Sequence, residues 1–235
     1  MEVKEIVQDR LITAGVRDLV EGLLASYEGR LSELLKIRTE RRSSLSTGTL
    51  ELLPATANVR EKDWTVDPEP EGLQERRVEL IGGANRSELI NGMNAGAKSY
   101  VADLWNFTAQ DTWSILRAHK SLNGAAHRSL AYLDDREGRV RINPSTSSRL
   151  MLVPRPFFTY EASLTVNEIP VPAAFFDLAM VAVGQGRETV RRQGGLHFYL
   201  RDVQGLQEAR LWARLFERVE ESLELDRGTI RCTVF

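Results

Sequence analysis

Several features that mark secreted, membrane-spanning or nucleic-acid-binding proteins are missing from this sequence. Cys232 is the one cysteine, which excludes an internal disulfide and a cysteine-rich metal site. No apolar run approaches the roughly 20 residues of a membrane span, and the opening MEVKEIVQDR has no apolar signal core. Lys plus Arg total 31 against 33 for Asp plus Glu, so charge gives no reason to expect a nucleic acid or an anionic membrane as partner. We therefore expect a cytoplasmic protein that binds neither.

The first third of the chain predicts helices followed by a linker. Between residues 8 and 46, apolar side chains recur at three- and four-residue steps from Leu11 to Ile37, which predicts an outer helical layer. Prolines and a glycine then interrupt residues 54–75 and predict a loop.

From Arg76 onward, short apolar strands alternate with helical patterns, which predicts parallel strands with helices outside them. The strands are apolar almost throughout, as strands buried on both faces should be. The core strands predicted from the sequence are Arg77–Ile81, Ser99–Leu104, Leu150–Arg155, Leu196–Arg201 and Thr229–Val234.

The number of strands sets the fold class. An eight-stranded barrel of this type needs about 250 residues, and only about 160 follow residue 75. The sequence therefore predicts an α/β fold with a partial TIM-barrel-like parallel sheet, about five-eighths of a barrel, or else an open five-stranded sheet. The predicted division is a helical segment with its linker at 1–75 and the partial barrel at 76–235.

Several motifs together resemble one enzyme family. REKDWTVDPEPEGLQERRVELIGGANRSELINGMNAGAKSYVADL is similar to the first barrel segment of the malate synthases, and HFYLRDVQGLQEARLW and RGTIRCTVF are similar to later segments. Order and spacing agree from about residue 20 to the last residue. The positions in step with the family are Asp63, Trp64, Arg76, Arg77, Asn91, Asn94, Lys98, Asp103 and Asp177.

The resemblance implies a helical clasp followed by a TIM barrel. It also implies a Claisen-type condensation of acetyl-CoA with glyoxylate, assisted by Mg²⁺. That chemistry needs a carboxylate base to deprotonate the acetyl methyl group and a cation to stabilise the enolate oxygen. It also needs a divalent metal, held by carboxylates, that polarises the glyoxylate carbonyl.

The family's catalytic arginine is not matched. In the family it is the first arginine of an Arg-x-Arg-Gly-x-His run at the end of the third strand. Counting back without gaps from Asp177 puts that arginine at Val153, while Arg155 matches the second arginine, Pro156 the glycine and Phe158 the histidine. A gap placed by hand would move Arg155 onto the catalytic position. Arg155 and Asp103 are the candidate substrate-binding residues on the resemblance, and no catalytic residue is confirmed.

Other polar positions of the family are also changed. Its Phe-Glu-Asp after the second strand reads Leu-Trp-Asn here, so Trp105 and Asn106 replace two carboxylates, while Asp103 is kept. Asp202 stands where the family has a lysine. The family's metal-ligand glutamate would follow Phe235, and the base and most of the CoA surface lie further on in the family. We therefore expect no metal site and no cofactor in this chain alone.

The remaining candidate residues give weak signals. His119, His127 and His197 have no carboxylate at ligand spacing in the sequence, which argues against a metal role. Cys232 alternates within a strand and is predicted to be a small buried core residue.

The glycine-rich run GQGRETVRRQGG is a weak candidate for a phosphate-binding loop, because no strand directly precedes it and no helix directly follows it in the sequence pattern. Its arginines Arg187, Arg191 and Arg192 are predicted to lie in a solvated turn. Anion binding by them is the less favoured alternative. Trp105 and Phe107 are predicted to fill space that polar groups and substrate would occupy.

The sequence leaves three functions open. The chain is a malate synthase-like pseudoenzyme, or one subunit of a split acyl-CoA/oxoacid condensing enzyme completed by a second chain, or a truncated product without a role. An acyl-CoA or an oxoacid is the ligand class that the family suggests. A parallel barrel cut after five strands would leave two edges open, so we expect association with a second polypeptide or with a copy of the chain. The residues expected to be exposed by such a cut are Val78, Leu80, Leu152, Phe198 and Val234.

Overall fold

The computed structural model describes residues 2–3, 10–45, 48, 52–66 and 68–235. Within those residues the strands are β1 (Glu2–Val3), β2 (Glu79–Gly82), β3 (Ser99–Asp103), β4 (Ala131–Asp134), β5 (Gly138–Arg141), β6 (Arg149–Val153), β7 (Tyr160–Val166), β8 (Ile169–Pro172), β9 (Leu196–Leu200) and β10 (Ile230–Val234). The α-helices are α1 (Ala14–Leu45), α2 (Ala57–Arg60), α3 (Arg86–Asn94), α4 (Thr112–Ala126), α5 (Ala173–Val181), α6 (Arg187–Gln193) and α7 (Leu206–Leu223).

The central sheet has the order β10-β9-β6-β3-β2, and every neighbouring pair is parallel. Each strand lies beside the next strand of the sheet along the chain, which is the arrangement of a barrel and not of a doubly wound sheet, whose strand order reverses. The predicted α/β fold with five parallel core strands is confirmed. Each predicted strand end lies within two residues of the observed one.

The two faces of the sheet have different surroundings. Leu152 and Phe198 point toward the helices and are 4% and 3% exposed, so the expectation that a barrel cut would expose them is wrong. Their positions alternate with Met151 and Val153, which face the opposite, inner side. Exposure at the sheet edges is confirmed for Val78, Leu80 and Val234, at 58%, 36% and 59%.

One long helix takes the place of the several helices predicted for the N-terminal segment. α1 runs for 32 residues and packs on α5 and α7, so it forms a layer outside the helices that cover the sheet. Residues 8, 9 and 46 of the predicted segment lie outside the described residues. Arg38 Nη1 donates to Glu208 Oε1 at 2.9 Å and to the carbonyl oxygen of Asp202 at 2.9 Å, which fixes α1 to the loop between β9 and α7.

The predicted loop over 54–75 contains three short turns of helix. They are 3₁₀ turns at Pro54–Thr56 and Glu71–Leu73 and the single-turn α2. Pro54 starts the first of these, since a proline at the first helical position loses no hydrogen bond. No helix among the described residues is both long and apolar enough to cross a membrane.

Two antiparallel hairpins lie outside the predicted core strands. β4 pairs with β5, and β7 pairs with β8. The β7–β8 turn is formed by Asn167 and Glu168, both with positive φ, at 49° and 67°. Consecutive positive φ values are typical of a type I′ hairpin turn, but glutamate replaces the glycine that usually signals it.

The glycine-rich run was also predicted wrongly. A π-helical segment, Ala182–Gly186, joins α5 to α6, and α6 ends at Gly194 with φ 76°. The arginines of this run therefore lie on a helix and not in a turn. Arg191 pairs with Glu188 on that helix, and Arg187 pairs with Glu224 at 3.3 Å.

Candidate functional site

The carboxyl ends of the five parallel strands come together at one end of the sheet, where TIM barrels hold their active sites. We call the residues at these ends, Gly82, Asp103, Val153, Arg201 and Phe235, the carboxyl rim. The candidate residues Asp103 and Val153 belong to it, and Arg155 follows two residues later.

Asp103 is fully buried at the end of β3, and both of its oxygens accept hydrogen bonds. Oδ1 accepts from the backbone N–H groups of Trp105 and Asn106, each at 2.8 Å, and Oδ2 accepts from Asn106 Nδ2 at 2.9 Å. A carboxylate that caps its own turn in this way fixes the loop after the strand. Arg201 Nη1 lies 3.8 Å from Oδ2.

Val153 ends β6 on the inner face and is fully buried. It packs with Leu73, Val101 and Met151, and Tyr199 lies against the same cluster. The last inward position of the third central strand is thus an apolar contact, with no charge to offer a ligand.

Arg155 does not face the inner side but enters a buried ionic network. Its side chain is 3% exposed, and it forms a forked pair with Asp177, through Nη2–Oδ1 at 2.8 Å and Nε–Oδ2 at 3.1 Å. Nη1 donates to Glu161 Oε2 at 2.8 Å, and the backbone N–H donates to Asp177 Oδ2 at 2.9 Å. The guanidinium is thereby held on both sides by carboxylates.

The network continues through two further side chains of α4. His119 Nε2 lies 3.0 Å from Asp177 Oδ1, and because an ionised carboxylate can only accept, Nε2 is the protonated nitrogen. Thr112 Oγ1 donates to Glu161 Oε1 at 2.7 Å. The network thus joins α4, α5, β7 and the loop after β6.

Charge and burial act in opposite directions on this network. Burial alone would raise the pKa of Asp177, but the Arg155 charge and the His119 hydrogen bond outweigh it and hold that pKa below its ordinary value. Burial alone would likewise lower the pKa of Arg155, and the charges of Asp177 and Glu161 raise it instead. Both groups are therefore ionised in the folded chain.

The sequence did not reveal the partners of this network. No carboxylate stands at ligand spacing from His119 in the sequence, and its partner Asp177 is 58 positions away. Glu161 was also missed, although it follows Arg155 by only six residues. The alternation of β7 (YEASLTV) gave no signal, because it groups Glu161 with the polar Ser163 and Thr165, and a register shift between Glu161 and Thr165 interrupts the strand pairing.

Two aromatic rings that follow the carboxyl ends of β3 and β6 contact each other. Trp105 meets Phe158 edge to face, with ring centroids 6.1 Å apart, and the Arg38 guanidinium lies 4.7 Å from the centre of the Phe158 ring. Trp105 is half-buried in this contact, and its role in filling the space of polar groups and substrate stays a prediction. Phe107 does not fill such space, because it is 55% exposed.

Arg201 is a cation at the carboxyl rim that the sequence did not single out. It follows β9, its side chain is 31% exposed, and its guanidinium carbon lies 5.2 Å from the centre of the Phe235 ring. The neighbouring Asp202 is exposed and has φ 60°.

The other histidines and the cysteine lie away from the rim. His127 Nδ1 lies 2.9 Å from the carbonyl oxygen of Asn123. His197 is 5% exposed on the inner face, and burial, followed by the charges of Arg149 and Arg76, lowers its pKa to about 4. Cys232 is exposed on β10, contrary to the prediction that it is buried, because β10 is the edge strand.

Among the described residues, no group of three or more histidine, cysteine, aspartate or glutamate side chains is arranged to hold a metal ion.

Comparisons with known proteins agree on one family. The family model described as malate synthase, TIM barrel domain, matches residues 149–235. The malate synthase of Streptomyces clavuligerus is 35% identical over 232 residues, which cover 97% of this chain and 43% of that protein. The malate synthase of Myxococcus xanthus is 30% identical over 95% of this chain and 41% of its own length, and malate synthase A of Escherichia coli is 26% identical over 97% and 43%. The chain spans about two fifths of the length of the curated relatives it matches.

Proposed function

Because the chain is related to the malate synthases along nearly its whole length, we propose that it is a malate synthase-like pseudoenzyme. It would not carry out the condensation of acetyl-CoA with glyoxylate on its own. The reaction class comes from the family resemblance, and the proposal of inactivity comes from the residues of this chain.

The observation that carries the proposal is the complete engagement of Arg155. The enolate oxygen of such a condensation needs a cation that faces the substrate. The Arg155 guanidinium instead bonds to Asp177 and Glu161 in a site that is closed to solvent. Freeing it would leave two buried carboxylates without their partner, which is strongly unfavourable. This geometry supports the alignment in which Arg155 matches the family's second arginine.

The Val153 environment supports the same conclusion. A valine at the first-arginine position supplies no charge to a developing oxyanion, and loss of one such donor raises an activation barrier by about 3 kcal/mol. The close packing of Trp105 on Phe158 occupies two further positions where the family has polar groups.

The Mg²⁺ that the family uses does not fit the residues present. Mg²⁺ is bound by carboxylate oxygens with free lone pairs, in an octahedral arrangement. Asp103 is the one carboxylate of the carboxyl rim, its Oδ1 already accepts two N–H groups, and the Arg201 cation lies 3.8 Å from its Oδ2, where it would repel a metal ion. We therefore derive no catalytic step through a metal bound to this chain.

A turnover assay tests the proposal. Purified chain would be mixed with acetyl-CoA, glyoxylate and Mg²⁺, and the release of free CoA thiol would be followed with a disulfide reagent, with the Streptomyces clavuligerus relative as positive control. We expect no rate above that of a protein-free sample. Turnover that EDTA abolishes would contradict the proposal.

The alternative function is that of one subunit in a split acyl-CoA/oxoacid condensing enzyme. The exposed sheet edges favour it, because β2 and β10 each pair with only one neighbour among the described strands. Unpaired edge groups and the 59% exposed Val234 offer a surface for further strands. We propose a second polypeptide, or a copy of the chain, as the partner at these edges.

Co-expression separates the two functions. The chain would be produced with the segment of the Streptomyces clavuligerus relative that lies outside the matched region, and the mixture would be analysed by size exclusion with light scattering. A stable complex with turnover would establish the split-enzyme alternative. A complex without turnover would favour the pseudoenzyme. A monomer that forms no complex with the added segment, and does not bind a dye that reports exposed apolar surface, would contradict the proposed association.

A further inference from the structure

A cavity of about 220 Å³ lies at the amino ends of the central strands, on the side of the sheet opposite to the carboxyl rim. It is formed where α4 ends, where β6 begins and where α6 ends. The side chains that line it include Arg128, Ser148, Thr189 and Arg192. None of them takes part in the function proposed above.

The hydroxyl groups of this cavity have no partner within the chain. Ser148 and Thr189 are 4% and 5% exposed, and neither side-chain oxygen makes a hydrogen bond to any described residue. A buried hydroxyl without a partner is unfavourable by about 1–3 kcal/mol. Two such groups beside one cavity indicate that something outside the chain bonds to them.

Arg128 is a half-buried cation of the cavity with an unpartnered nitrogen, whereas Arg192 pairs through Nε with Glu188 on α6. Nη1 of Arg128 is buried and lacks a hydrogen-bond partner among the described residues. Burial, followed by the charge of Arg192, lowers the pKa of Arg128, so the two guanidinium groups repel each other across the site. Of the described residues, no acidic side chain lines the cavity. Arg149 is a different case, because its guanidinium already donates to the carbonyl oxygen of Gln193.

The backbone of Arg128 adds an independent observation. Arg128 has φ 55° and follows the last turn of α4, at the position where a helix usually ends in glycine or asparagine. A left-handed conformation is unfavourable for arginine by roughly 1–2 kcal/mol. The side chain is thus held at the cavity against a local preference for another residue.

We propose that this cavity, formed by Arg128, Ser148, Thr189 and Arg192, binds a tetrahedral oxyanion, either inorganic phosphate or the phosphoryl group of a small phosphomonoester. The donors converge from three elements of the fold, which suits oxygens that point in four directions better than it suits a planar carboxylate. The volume accommodates a phosphoryl group with a short organic part.

Calorimetric titration of the full chain at constant ionic strength tests the proposal. The ligands are inorganic phosphate, glycerol 3-phosphate and, as a planar anion, acetate. We expect phosphate to bind with a dissociation constant of about 1 mM or tighter, and acetate to bind at least about tenfold more weakly. Tighter binding of glycerol 3-phosphate than of phosphate would identify a phosphomonoester as the occupant, and the reverse order would identify the free ion.

The variants are chosen so that misfolding cannot explain the result. Arg128→Asn removes the charge but suits the left-handed backbone, so its urea midpoint should match or exceed that of the wild type while phosphate affinity falls about tenfold or more. Thr189→Val keeps the side-chain shape and should weaken binding about threefold or more. Arg187→Gln removes an equal charge from an α6 side chain that is 65% exposed and outside the cavity, and it should change affinity by less than about twofold.

Three outcomes would overturn the proposal: no binding of phosphate or glycerol 3-phosphate by the wild type, acetate binding as tightly as phosphate, or an equal loss of affinity in Arg128→Asn and Arg187→Gln.

Discussion

Removal of the Arg155 side chain provides the sharpest test of the buried network. In Arg155→Met, Asp177 and Glu161 would stay buried, at 0% and 2% side-chain exposure, without the cation that neutralises them. Asp177 would keep only the backbone N–H of residue 155 and His119 as donors. Loss of one partner of a buried ion pair destabilises by about 3–5 kcal/mol. Since whole domains are stable by about 5–15 kcal/mol, the loss is a large fraction of the total.

Urea unfolding followed by far-ultraviolet circular dichroism measures this effect. We expect the midpoint of Arg155→Met to fall far below that of the wild type. Addition of Asp177→Asn and Glu161→Gln should recover most of the loss, because neutral groups tolerate burial better than unpaired charges do. Arg191→Met, at an exposed ion pair, is the control and should leave the midpoint unchanged. An Arg155→Met midpoint equal to that of the wild type would show that the network does not stabilise the fold.

Three further predictions address pH, the carboxyl rim and the hairpin turn. The pKa of Asp177 is lower in the folded chain than its unfolded value of about 4. Its contribution to stability is therefore present above about pH 4 and is lost as the pH falls toward the folded pKa. The urea midpoint of Asp177→Asn should depend less on pH between about 5 and 3 than that of the wild type, and parallel profiles of the two would contradict this. Val153→Arg would bury a charge among Leu73 and its neighbours and should destabilise the chain by several kcal/mol. The variant should show no turnover in the thiol-release assay. A stable, active variant would show that the valine alone prevents catalysis. Glu168→Gly, at φ 67°, should raise stability by about 1 kcal/mol in urea unfolding, because glycine adopts that conformation without strain, and a destabilised variant would indicate that the glutamate side chain holds the turn.

The central sheet could be predicted because its signal is local. Strands such as Ser99–Asp103 are buried along their whole length, so their apolar runs stand out between polar connections. The hairpin of β7 and β8 carries a weaker signal, since Pro170 and Pro172 interrupt its second strand and Asn167-Glu168 is an unusual turn pair. Cys232 was misplaced because its strand has the composition of a core strand and lies at the edge.

The candidate site was less predictable because its contacts are long-range. Arg155 stands out in the sequence between two prolines, but the carboxylates that bind it come from β7 and α5, and the histidine comes from α4. No spacing rule links positions 22 and 58 residues apart. The unpartnered hydroxyl groups of Ser148 and Thr189 could not be predicted for the same reason, since the three-dimensional surroundings decide whether a buried hydroxyl finds a partner.

The parallel sheet with two unlike edges restricts how copies of this chain can pair. If a two-fold axis perpendicular to the sheet relates two copies, β10 of one copy pairs with β10 of the other in antiparallel direction. If the two-fold axis runs along the strands, the two β10 strands are parallel, but the inner face of one copy then lies on the outer side of the other. A head-to-tail contact of β10 with β2 of another copy preserves both direction and face, but such heterologous contacts build rings or open arrays in units of five strands. An eight-stranded barrel requires three strands more than the five of the central sheet. Multiples of five strands cannot give eight, so copies of this chain that add whole sheets do not build a TIM barrel, and three strands from a different polypeptide segment would be needed for that.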